Sequence, residues 1–276
     1  MSTVTVRAPE GADAARVATL LAGVVPGPSE TAEELGADLP AWPAGDAWVL
    51  DEGDRLAGFA TVRRRGALIA DGDLVALPGS EQPLVELIER RAADWRAPVL
   101  RVTPRGSGSD LAGLGYRLVR TFLRLGVDSA AFVPPAEAPA ELLPVEPADP
   151  RLYQLEQTCF AASWGFVPET YPQWRDRVGR RPPAPSFVAL AAGDAIGGIY
   201  CTYRYGWGWV RSLVVAPAAR GRGVGAQLLG AAAAALDASR LGLEVDELNE
   251  PARRLYARAG LREIDRERFF EKELRA

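Results

Sequence analysis

Arg220, Gly221, Arg222, Gly223 and Gly225 stand in one short turn, directly after the apolar run Leu213-Val214-Val215-Ala216-Pro217. Glycines at alternate positions let the backbone turn tightly and present successive N–H groups. A helix opening at Val224-Gly225-Ala226 aims the positive end of its dipole at the same place. The two guanidinium groups add forked donors for phosphate oxygens. The chemistry this supports is the holding of a pyrophosphate. Standing alone, the turn could equally be a glycine-rich strand-to-helix connection with two solvated arginines.

Two familiar phosphate motifs do not fit. A dinucleotide fingerprint needs G-x-G-x-x-G, and here the third glycine comes one residue early. A P-loop needs Gly-Lys-Ser/Thr, and the only lysine is Lys272. The chain has no histidine, which excludes Ser-His-Asp and Cys-His catalysis and the usual metal clusters. No metal is expected. Cys159 and Cys201 are too few for a disulfide framework and read as buried small apolar residues.

The next chemistry-bearing stretch is Glu247-Leu248-Asn249-Glu250-Pro251-Ala252, followed by Leu255, Tyr256, Ala259 and Gly260. Asn249 can cap a helix whose first turn holds an acid and a proline. Ala252, Leu255, Tyr256 and Ala259 then share one face, and Gly260 ends the helix. A tyrosine on such a face is by itself an ordinary core residue.

Together, Arg220-x-x-Gly223-x-Gly225 after a Leu-Val-Val-Ala-Pro strand and the Asn249 to Gly260 stretch resemble the two halves of the acetyl-CoA signature of the GNAT superfamily of N-acetyltransferases. The resemblance implies acetyl-CoA as cosubstrate, held by Leu213, Val214, Val215, Arg220, Gly221, Arg222, Gly223, Val224, Gly225, Ala226, Asn249 and Tyr256. It implies that the strand from Trp209 to Ala216 splays from Leu243 to Asp246, so that Leu213 and Val215 pair with the pantetheine amides. It places the Tyr256 hydroxyl beside the sulfur as general acid, and a backbone N–H, that of Val215, on the thioester carbonyl. The implied reaction is direct attack of a small-molecule amine in a ternary complex. A module of the same fold that binds an acyl-CoA as a sensor or assembly partner, or uses another acyl-CoA, is the alternative. Intact Tyr256, Asn249 and glycine turn favour catalysis.

Relatives commonly place a carboxylate base on the strand before the turn, yet this strand offers Arg211 and Ser212. Glu244, Asp246, Glu156 and Glu169 lie nearby in sequence and read as solvated or capping groups, leaving an ordered water as an equal choice. The acceptor region is expected in the helices from Asp149 to about Arg180 and the hairpin from Tyr200 to Trp209. Trp164, Phe166, Tyr171, Trp174, Tyr203, Tyr205, Trp207 and Trp209 make it aromatic, either as a stacking pocket or simply as core.

Stepping along the chain shows what must position these residues. Gly53-Asp54-Arg55-Leu56-Ala57-Gly58 echoes Gly193-Asp194-Ala195-Ile196-Gly197-Gly198, Leu74 to Pro78 echoes Leu213 to Pro217, and Gly115-Tyr116 echoes Gly260-Leu261, each pair closing a helix. The fold class expected is α/β with a mixed sheet: two tandem GNAT-like domains, 1–132 and 143–276, joined by a Pro/Ala linker at 133–142. The first copy is degenerate. Where the glycine turn belongs it has Gly79-Ser80-Glu81-Gln82-Pro83-Leu84, and Leu111 stands where Tyr256 would. A tandem plan with a weakened first copy resembles that of the mycothiol synthase family.

The net charge of −4 disfavours nucleic acid. Residues 1–140 carry 14 basic and 19 acidic side chains, and 141–276 carry 18 and 17, so the basic excess accompanies the glycine turn. No long uncharged apolar run or signal-peptide pattern is present, so a cytoplasmic enzyme without a membrane partner is expected. The residues do not choose between monomer and homodimer.

Overall fold

The computed structural model describes residues 4–66, 68–106, 111–134, 140–180 and 182–274. In chain order the elements are β1 (Val4–Arg7), α1 (Asp13–Val24), α2 (Ala32–Asp38), β2 (Ala47–Glu52), β3 (Arg55–Arg65), β4 (Ile69–Ala76), α3 (Gln82–Asp94), β5 (Val99–Pro104) and β6 (Arg117–Asp128). There follow β7 (Glu141–Val145), α4 (Pro150–Phe160), α5 (Tyr171–Val178), β8 (Ser186–Ala191), β9 (Asp194–Arg204), β10 (Trp207–Val215), α6 (Val224–Ala235), β11 (Arg240–Asp246), α7 (Glu250–Arg258) and β12 (Arg262–Glu273). They form two compact units: unit 1 is Met1–Leu123 with Ile264–Ala276, and unit 2 is Arg124–Glu263.

In unit 1 the strands lie in the order β1-β2-β3-β4-β5-β12, antiparallel except for the parallel pair β4 and β5. The apolar residues of α3, Leu84, Val85, Ile88 and Ala92, recur at helical spacing and are all buried. They press on the sheet at glycines. A Cβ on Gly58 would lie 2.5 Å from Leu84 Cδ1, and one on Gly72 would lie 2.8 Å from Ile88 Cγ2. On the other face α1 supplies Val17, Leu20 and Leu21 against Val49, Leu56 and Val75.

In unit 2 the strands β7, β8, β9 and β10 form an antiparallel meander, with β11 parallel to β10. Helices α4 and α5 cover one face with Leu152, Trp174 and Val178 on Val188 and Tyr200. Asp149 starts α4 by accepting from the Arg151 N–H at 2.8 Å, and a Thr170/Gln173 capping box starts α5. Helix α6 covers the other face, where a Cβ on Gly197 would come within 3.0 Å of Val224 Cγ1. Among the described residues no helix is long and apolar enough to cross a membrane.

Strand, helices, three-strand meander, helix and strand follow one another in both halves. Three expectations change. The cut at 133–142 is not where the compact units divide, because β12 pairs with β5 (Phe270↔Val102 to Glu273↔Val99) and returns the C-terminus to unit 1. Residues 135–139 of that linker lie outside the described residues. The helix from Val224, expected from the sequence to run to about Arg240, stops at Ala235, since Leu236 packs on Gly208 and the Asp237 N–H donates to the Tyr203 hydroxyl. Before Gly115 there is only a 3-10 turn, Ala112–Leu114, where a helix was expected; residues 107–110 lie outside the described residues.

Candidate active site

The site of unit 2 starts from a fork. β10 and β11 pair at Gly208↔Leu241, Trp209↔Gly242 and Val210↔Leu243, and beyond that point both strands run on unpaired with each other, to Val215 and Asp246. At the vertex the pairing of β10 with β9 shifts between Val210 and Ser212, so Arg211 is bulged out. A bulge bends its strand and sharpens the local twist, which turns this prong away from its neighbour.

The free prong presents backbone groups to the gap. The Ala216 N–H donates to Ile196 O at 2.9 Å, so that residue faces β9. Antiparallel strands alternate, and Leu213 and Val215 therefore face the opening. One of these groups is already engaged, as Arg220 Nε donates to the Val215 carbonyl at 3.1 Å. The Val215 N–H and the Leu213 groups are left for a ligand.

The glycine turn sits at the open end of that prong. Gly221 and Gly223 have φ of +77° and +83°, the left-handed region that side chains rarely enter. α6 has no side-chain cap, and the first bond closing it runs from the Gln227 N–H to Gly223 O at 3.0 Å. Val224, Gly225 and Ala226 thus keep N–H groups without a partner in the helix. Arg220 and Arg222 are exposed, with Arg220 folded back on Val215 and Arg222 without an ion pair among the described residues. A Cβ on Gly225 would lie 3.5 Å from both Val215 Cγ2 and Leu255 Cδ2, so prong, turn and α7 meet at one point.

α7 carries Tyr256 there. Asn249 caps it, accepting from the Ala252 N–H at 3.2 Å, and Gly260 closes it at φ +93°. Tyr256 is 6% exposed, and burial raises its phenol well above the ordinary value, so it stays protonated through the neutral range. Its hydroxyl forms no hydrogen bond with the described residues. Leu213, Val214, Val215 and the turn from Arg220 to Ala226 thereby border one opening, and α7, which is capped by Asn249 and carries Tyr256, packs against it through Leu255.

The carboxylates are engaged elsewhere. Glu156 is 7% exposed and receives both Trp174 Nε1 and, at 3.6 Å, Arg177 Nη2 on the same oxygen. Glu169 pairs with Arg177 at 2.8 Å. Asp246 Oδ1 accepts from the Leu248 N–H at 2.9 Å. Glu244 meets Arg124 at 3.3 Å. Arg124, 1% exposed and paired with Glu244, is a buried charge beside this fork that the sequence reading did not single out. The signal for Arg124 was an arginine inside the apolar run Phe122-Leu123-Arg124-Leu125 of β6.

The aromatics divide. Trp174, Tyr205 and Trp209 are buried, Tyr171 stacks on Trp174 at 6.1 Å, and Tyr205 meets Trp209 edge-on at 5.1 Å, so these are core. Trp164, Phe166, Tyr203 and Trp207 are only partly covered. Cys201 is enclosed and Cys159 half-buried; burial raises both thiols, against the opposing pull of Arg220 on Cys159.

Unit 1 lacks this opening. β4 and β5 stay paired through six positions, Ile69↔Val99 to Leu74↔Pro104, and the Arg105 N–H closes on Leu74 O at 2.6 Å. β3 and β4 pair without a bulge. At the start of α3 the Glu81 carboxylate takes the Gly79 N–H at 2.8 Å, setting a fixed negative charge where an anion would sit.

No curated protein matches the chain. The acetyltransferase (GNAT) family pattern matches residues 150–261. Among solved structures, a GCN5-related N-acetyltransferase from Sphaerobacter thermophilus is 23% identical with a TM-score of 0.79, covering 99% of this chain and 96% of that one. A tandem GNAT protein from the clavulanic acid biosynthesis pathway is 20% identical with a TM-score of 0.75, covering 98% of each. A glucosamine N-acetyltransferase region of a fungal multi-domain β-N-acetylglucosaminidase is 15% identical with a TM-score of 0.69, covering 99% of this chain and 38% of that one. At these identities the property shared with the solved structures is the fold, that of tandem GNAT proteins, and the stretch that resembles the acetyltransferase (GNAT) family pattern is residues 150–261.

Proposed function

We propose that the protein transfers an acetyl group from acetyl-CoA to an amine of a small molecule, by direct attack in a ternary complex at the fork of unit 2. The observation that carries this reading is the coincidence of an open fork and an uncapped glycine turn with α7, the helix of the buried, protonated Tyr256, packed against both through Leu255. When bound, acetyl-CoA supplies the activated acyl group.

The chain's own residues then have distinct tasks. Leu213 and Val215 offer the edge of β10 to the pantetheine amides, as an edge strand does to an extended peptide. The open N–H groups of Val224, Gly225 and Ala226, with Arg222, hold the pyrophosphate. The Val215 N–H is aimed at the oxygen that gains charge during attack. Tyr256 gives its proton to the departing thiolate. With Glu156, Glu169, Asp246 and Glu244 all engaged, the amine arrives neutral or passes its proton to water.

Release of free CoA thiol by purified protein, followed across a panel of amines, tests the reading. Tyr256→Phe is expected to lower kcat by about 10²–10⁴-fold while acetyl-CoA affinity holds. Acetyl-CoA binding with no amine-dependent release would leave a sensor rather than an enzyme. Undiminished turnover in the variant would remove Tyr256 from the mechanism.

A further inference from the structure

We propose that one of the two reactants carries a carboxylate beside its reacting centre, and that Arg211 receives it. This rests on the acyl-transfer reading above. Val210↔Leu243 is the last pair before the fork opens, so Arg211 is the first residue of one prong and Glu244 the first of the other. The two stand at the vertex, where the reacting ends of both substrates must meet.

The bulge aims Arg211. Ser212 pairs with Tyr200, and Tyr200 belongs to the packed face beneath α4 and α5, so the two residues of the bulge turn toward that face. Arg211 is exposed by surface area, although Tyr200, Tyr205 and Glu244 all lie close enough to act on its charge. Open surface among crowding groups is what the wall of a cleft gives. Glu244 is already matched by the buried Arg124, whose Nη2 also reaches the Tyr205 hydroxyl at 3.4 Å. No carboxylate among the described residues comes within ion-pair distance of Arg211.

A guanidinium that shares a hydrogen bond with Tyr200 but has no carboxylate of its own at this position has a chemical consequence. It repels an incoming ammonium and so favours the neutral amine that attack requires. The same charge penalises any reactant that brings no anion to offset it. A carboxylate a few bonds from the amine, as in an amino acid, meets the guanidinium fork with paired charge-assisted bonds. A carboxylate at the far end of the acyl group, as in a succinyl thioester, would present the same chemistry from the other reactant.

Two arms separate the sources. With the full-length protein and acetyl-CoA, kcat/KM is compared for amino acids and the corresponding carboxamides. With a fixed amine, succinyl-CoA is compared with butyryl-CoA. The expected result is a preference of about tenfold or more for the carboxylated member in one arm, collapsing toward unity in Arg211→Gln and partly regained in Arg211→Lys. Ratios near unity in both arms of the native protein overturn the proposal, as does a preference that Arg211→Gln retains. The native comparison decides even if a variant fails to fold. Thiol release without preference defeats this proposal alone, whereas no release with any pair defeats the acyl-transfer reading and this proposal with it.

Discussion

Single residues carry measurable consequences in both units. In unit 1 the Arg7 guanidinium, bonded to Asp13 at 2.7 Å, holds that carboxyl well below the usual carboxylate range, against the opposing effect of its burial. The unfolded chain takes up a proton near pH 3.9. The stabilisation is therefore complete above that pH and is lost as pH falls through and below it. Urea midpoints at pH 6 and pH 3 should fall more steeply for the native protein than for Asp13→Asn, and parallel curves would show that Asp13 is not the titrating group. In unit 2, Tyr256 is placed by burial alone, Glu156 by an indole and a guanidinium, and Arg211 by a bulge, so three side chains of different chemistry owe their orientation to three different local causes.

At the scale of elements, one parallel strand pair is open and its counterpart is closed. The fork of β10 and β11 opens after three paired positions, while β4 and β5 remain joined through six. Acetyl-CoA should consequently bind with a stoichiometry of one per chain by titration calorimetry. Two sites would mean that the closed pair can open. Local features of this difference were legible in the sequence. The glycine turn, the Asn249 cap and the Gly260 stop are short-range patterns whose backbone demands are carried by single residue types. So was Glu81, an acid beside a helix start. The opening itself was expected only by resemblance, because strand periodicity reports which face a residue takes and not where pairing ends. The polar pair Arg211-Ser212 inside an apolar run was the one local sign of the bulge. Arg124 was missed because its partner Glu244 is far along the chain.

At the scale of the molecule, the assignment of β12 to unit 1 could not be read from sequence, since an alternating strand does not name its neighbour. Phe270 joins the core of Leu100, Val102 and Ile88, and Lys272 bonds Glu89 at 2.8 Å. Glu271 meets Arg101, which is buried, at 2.7 Å, with Asp71 a longer 3.5 Å away on its other side. Glu271→Gln weakens a buried pair on one side only and should cost about 3 kcal/mol in urea unfolding; a change below about 0.5 kcal/mol would mean that Asp71 suffices. The same strand inverts the order in which the molecule is completed during synthesis. Unit 2 has all its residues once Glu263 has been made, whereas unit 1, begun first, waits for β12. Unit 1 is thus completed after unit 2, its β5 edge unpaired until β12 has been made, and its closing contacts join residues far apart in the chain, the kind of pairing that forms slowly.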